Sequence, residues 1–196
     1  MPGPIIHKTA MEETVKLIDK STDLSKHLSI KVGTYLQNMK PDTIGSHGWD
    51  FKYTKQGSIL EKINTEYLNL ICGLSLKYNI DQHIRNICHY IVDAHTIGQL
   101  SCEFHGRIDN RLDFFATFVS NKNKYEPKIK DYINLEHLEY ILFSSMHHVY
   151  SQYYKQAKSI KFLFSKDFKH MIRNAIQKGA EFTYGYVDLA KRKEVG

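Results

Sequence analysis

His89-Tyr90-Ile91-Val92-Asp93 and His105-Gly106-Arg107-Ile108-Asp109 each set an imidazole and a carboxylate four residues apart, and Asp113 follows one turn later. On a helix this spacing puts both groups on one face, within reach of one metal ion or of two adjacent ions. A single pair of this kind arises as readily from a surface hydrogen bond. Two in quick succession, the first inside an apolar helix where an uncompensated carboxylate is costly, point to metal binding. The composition agrees: the chain carries 11 histidines, and neutral imidazole with carboxylate is the ligand set of zinc and its neighbours. There is no nucleophile-elbow sequence and no phosphate-cradling glycine loop.

The two motifs resemble the superfamily that unites bacterial zinc-dependent phospholipase C with the single-strand-specific zinc nucleases of fungi and plants. His89-Tyr90-Ile91-Val92-Asp93 resembles that family's central His-Tyr-Leu-Gly-Asp, and His105 with Asp109 its later His-x-x-x-Asp. With Met1 removed, the chain would begin Pro2-Gly3-Pro4-Ile5-Ile6-His7, which places His7 sixth, as in the nucleases, where the N-terminal amine and that histidine both bind zinc. Asp42 and His47 stand in family order between these motifs. Where the family has Pro-x-His, this chain has Ile97-Gly98-Gln99, so an imidazole for the second ion would come from His95.

The resemblance implies up to three zinc ions. Asp93 would bridge two of them, with Asp42, His47 and His89 completing one site and His7 with the Pro2 amine the other, while His105 and Asp109 would hold the remaining ion. It further implies a metal-dependent hydrolase in which clustered ions activate water and clamp a phosphodiester, with Asp93 and Asp42 at the catalytic centre. The expected substrate is single-stranded nucleic acid. A phospholipase C acting on lipid headgroups is the alternative, as is a non-catalytic helical module with an eroded site.

Helical periodicity dominates and alternating strands are absent, which predicts an all-α fold. About seven helices are expected in one compact domain spanning residues 1–196, as in the phospholipase C and zinc nuclease fold. Met11, Val15 and Ile18 form one stripe over Thr9–Ile18, and a second helix runs from about Leu24 to Met39, ended by Pro41. A turn-rich loop from Lys40 to Gly57 follows. The next helix carries Ile59, Ile63, Tyr67, Leu70 and Leu74; another carries Ile84, Ile87, Cys88 and Ile91. A further helix bears Leu112, Phe115 and Phe118, and after a Lys-rich connector two long helices run over Leu135–Ala157 and Phe168–Lys191, the second capped by Ser165 or Asp167. His137, His147 and His148 fall on surface or core-edge positions, and His27, His83 and His170 on solvated ones.

With 42% hydrophobic and 24% charged residues among 196, the chain has the profile of a globular domain rather than a disordered one. Its three cysteines lack both CxxC spacing and a pairing framework, so they read as reduced core thiols. No apolar run reaches membrane-spanning length and no signal peptide is visible, so a cytoplasmic location is expected. The net charge is +6, with residues 151–196 holding 10 basic and 4 acidic side chains, a bias suited to an anionic partner.

Overall fold

Helix α1 (Pro4–Lys20) begins five residues before the apolar stripe that announced it, and so takes His7 into its second turn. Proline suits a first turn, because its missing N–H would have no intrahelical acceptor there. The computed structural model of the protein describes residues 4–21, 24, 59–97 and 125–194. Most of the expected helix from Leu24 to Met39, the Lys40–Gly57 loop and the helix carrying Leu112 lie outside these residues. The remaining helices are α2 (Ile59–Leu76), α3 (Ile80–Ala94), α4 (Leu135–Ala157) and α5 (Lys166–Glu194), with a 3-10 turn at Ile160–Phe164. The fold is all-α: no strand occurs among the described residues.

The long C-terminal helix is the hub, since α1, α2, α3, α4 and the 3-10 turn all pack against it. From Gly179 to Val187 every residue of α5 is buried. α1 applies a helical stripe to it, Ile6, Ala10, Met11, Leu17 and Ile18, all at most 1% exposed. Burial of Ile6, Met11, Leu17 and Ile18 contributes ~1.5 to 3 kcal/mol each.

Local chemistry sets the ends of the elements. Lys77 and Asn79 both take positive φ, 54° and 53°, between α2 and α3. The Tyr78 N–H closes this turn by donating to the Gly73 carbonyl at 2.9 Å, and a Cβ on Gly73 would stand 2.7 Å from the Tyr78 carbonyl oxygen. Asn134 caps α4, its side-chain oxygen accepting from the His137 N–H at 2.9 Å. Ser165 caps α5 through the Phe168 N–H at 3.1 Å, which decides between the two expected caps.

Polar contacts tie the elements together. Glu66 of α2 meets His83 Nδ1 at 2.7 Å and accepts from Asn86 Nδ2 at 2.9 Å, both on α3; His83 is thus a half-buried fastener and not a solvated residue. Glu181 of α5 is buried and accepts from Lys178 Nζ at 2.8 Å, Gln177 Nε2 at 3.1 Å and the Lys128 N–H at 3.2 Å. Burial alone would raise its pKa, but the donors of Lys178 and Gln177 outweigh that and hold the carboxyl below its ordinary range. Of the described cysteines, Cys88 is the core thiol the sequence suggested, whereas Cys72 is exposed.

Candidate metal centre

His89 and Asp93 occupy the last two turns of α3, four residues apart on one face. Near the start of this helix only a stripe is buried, Ile84, Ile87 and Cys88, but at its end Ile91, Val92, Asp93 and Ala94 are all buried together. The carboxylate is therefore taken inside by tertiary packing, since α1, α2 and α5 all pack against α3. His7 arrives from α1. Gly179 of α5 leaves room at the crossing: a Cβ there would stand 2.5 Å from Cγ2 of Val92 and 3.2 Å from Cβ of Ala10. Val92 adjoins Asp93, and Ala10 follows His7 by about one helical turn, so the missing side chain lets α5 draw together the two helices that carry the site.

The resulting geometry is compact. His7 Nε2 lies 3.3 Å from Asp93 Oδ1, and His89 Nε2 lies 3.3 Å from Asp93 Oδ2, so each carboxylate oxygen faces one imidazole. The two rings stack with centroids 4.2 Å apart and planes 25° apart. His7 and Asp93 are fully buried and the His89 side chain is 13% exposed. One donor atom from each residue can be chosen so that all lie within 4.8 Å of one another.

This donor set is of a kind that could hold a metal ion. Ligands at ~2.0 to 2.1 Å in a tetrahedron stand about 3.3 Å from each other, the separation of each imidazole nitrogen from its carboxylate oxygen here. A buried carboxylate also requires compensating positive charge, which an ion supplies. His7, His89 and Asp93 thus form a buried group that could bind a metal ion.

No protein-family model, curated protein or solved structure matches the chain.

His95 caps the C-terminus of α3 and is held by other contacts. Its Nδ1 lies 2.7 Å from the Ile91 carbonyl oxygen and its Nε2 2.9 Å from Ser145 Oγ. The carbonyl can only accept, so Nδ1 carries the proton and the Ser145 hydroxyl donates to Nε2. The ring also stacks on Phe182, centroids 5.8 Å apart. Burial pushes its pKa down to about 4, with Lys178 adding to the effect and the Ile91 carbonyl and Glu181 opposing it. Ligation through Nε2 would require breaking the Ser145 bond.

Pro2, Asp42, His47, His105 and Asp109 lie outside the described residues. Sequence reasoning paired His89 with Asp93 by spacing alone and assigned His7 through the family resemblance. It had no signal for Gly179, since nothing local to a glycine in a helix announces a crossing point of three helices, nor for Ser145 as the partner of His95. His147, His148 and His170 are exposed, in keeping with surface positions.

Proposed function

We propose that the protein is a zinc-dependent phosphoesterase, most favourably a nuclease acting on single-stranded nucleic acid, built on a fold like that of the phospholipase C and zinc nuclease superfamily. The observation that carries the reading is the meeting of His7 with His89 and Asp93 inside the helical core, although 82 residues separate the two histidines in sequence. These three residues are ligands in the set that the resemblance implies, with Asp42, His47, His105, Asp109 and the Pro2 amine as the further donors for up to three ions; His95 could join them only by giving up its hydrogen bond to Ser145.

In this reading His7 and His89 present neutral nitrogens, and Asp93 supplies the negative charge that offsets the cation. A divalent ion held there provides Lewis acidity, which acidifies water and screens the charge of a phosphodiester. Asp93, with one carboxylate oxygen near each imidazole, would hold the ion together with His7 and His89, and by the resemblance it would be shared between two ions. Asp42 is the second acidic group proposed for the reaction. The chain's net charge of +6 has the sign that draws an anionic polymer toward the protein as a whole.

Elemental analysis of the purified protein, coupled to hydrolysis of a defined single-stranded oligonucleotide and to headgroup release from liposomes, tests the proposal. The expected result is about two to three zinc ions per chain and chelator-sensitive cleavage of the oligonucleotide. Headgroup release without nuclease activity would replace the substrate. Less than about one ion per chain, with neither activity, would make the protein a non-catalytic helical module.

A further inference from the structure

Away from the metal centre, charge and apolar exposure coincide at the corner where α4 ends and α5 begins. Residues 151–173 contain six basic side chains, Lys155, Lys158, Lys161, Lys166, Lys169 and Arg173, and a single acidic one, Asp167, a net +5 in a chain whose total is +6. All six are exposed. Lys155 and Lys158 stand one turn apart at the end of α4, and Lys166, Lys169 and Arg173 recur at helical spacing along α5. Lys166 and Lys169 sit in the opening turn of α5, where a positive side chain opposes the helix dipole, so helix stability does not account for them.

The 3-10 turn between the helices divides its residues by direction. Phe162 and Leu163 are buried, and Phe162 packs against Tyr153 and Phe168 with centroids 5.7 and 5.5 Å away. Ile160 and Phe164 remain 66% and 59% exposed. Ser159 and Ser165 fix the ends, accepting from the Lys161 N–H at 3.3 Å and the Phe168 N–H at 3.1 Å. Two apolar side chains are therefore held outward on an anchored base and flanked by lysines.

We propose that this corner docks on an anionic lipid bilayer, with Ile160 and Phe164 entering the acyl boundary and the six basic side chains at the level of the headgroup phosphates. Charge complementarity selects the partner's sign, and the apolar pair selects its kind. Ile160 is aliphatic and has no ring face on which a nucleobase could stack, whereas it gains directly from transfer into hydrocarbon. The long lysine stems can lie along the boundary while their ammonium groups stay with the phosphates. The proposal does not rest on the metal centre.

Co-sedimentation of the full chain with phosphatidylcholine vesicles, with and without phosphatidylserine, is the test. Binding is expected only with phosphatidylserine and is expected to weaken with added salt. An Ile160→Ser/Phe164→Ser variant is expected to bind about tenfold more weakly or worse. A Lys158→Glu/Lys161→Glu variant is expected to lose at least about tenfold. These residues are exposed, and circular dichroism and the melting temperature would verify that each variant folds. His89→Ala is expected to bind vesicles like the wild type, which separates this proposal from the metal reading. Equal binding by the Ile160→Ser/Phe164→Ser variant would overturn it. So would absence of phosphatidylserine-dependent binding, including the case in which the lysine pair instead governs binding of a single-stranded oligonucleotide.

Discussion

Gly179 of α5 and Val92 of α3 approach so closely that a Cβ on the glycine would lie 2.5 Å from Val92 Cγ2, too near for a side chain unless Val92 or the backbone around it shifts. Because Ala10 of α1 presses on the same point, the contact fixes the separation of the helices that bring His7 to His89 and Asp93. Gly179→Val is expected to cost ~1 to 3 kcal/mol of stability through overpacking. It should also lower metal content, because the residues that move carry the ligands. Thermal melting and elemental analysis read the two effects; a variant as stable as the wild type and fully loaded would show that the crossing point is slack.

His7→Ala, His89→Ala and Asp93→Ala are each expected to reduce bound metal and to remove the stabilisation that the ion gives the native state. Binding at a hundredfold excess over Kd is worth ~2.7 kcal/mol. Each variant should therefore melt below the metal-loaded wild type, and adding chelator should lower its melting temperature by less than it lowers that of the wild type, because one ion is already lost or weakened. A variant that keeps its full metal content would take that residue out of the ligand set.

His95 gives the fold a dependence on acid. Its pKa falls from the ordinary 6.5 to about 4 on folding, chiefly because burial penalises the charged ring. Between those values the unfolded chain takes up a proton that the native state refuses. The neutral ring's contribution is thus intact above about pH 6.5 and lost as pH falls toward 4, by about 3 kcal/mol in total. The drop in melting temperature over that window should shrink in His95→Gln. An equal drop in both proteins would assign the acid sensitivity to other groups.

Cys88 should report global unfolding. Burial pushes its thiol up to about 12, against the opposing hydrogen bonds of Thr183 and Thr14, and only the thiolate is nucleophilic. Alkylation mapped by peptide mass should therefore label exposed Cys72 at once and Cys88 only as denaturant unfolds the chain. Labelling of Cys88 under native conditions at the rate of Cys72 would mean that the α1, α3 and α5 interface opens locally.

The sequence alone determined the helical class and the faces of α2, α3 and α4, because a 3.6-residue period is a local property that Ile59, Ile63, Tyr67, Leu70 and Leu74 express whatever they pack against. It likewise paired His89 with Asp93, since four residues on a helix fix a shared face. Only the tertiary structure decided that Asp93 is buried, that His7 stands 3.3 Å from it, and that His95 is engaged by Ser145 across 50 residues. It also revealed that α5, whose ends are heavily charged, is the central helix of the fold. The reason is physical. Periodicity says which side of a helix is apolar, but the burial of a polar residue and the partner it meets depend on how closely other helices cross, and here that distance is set by the side chain that Gly179 lacks.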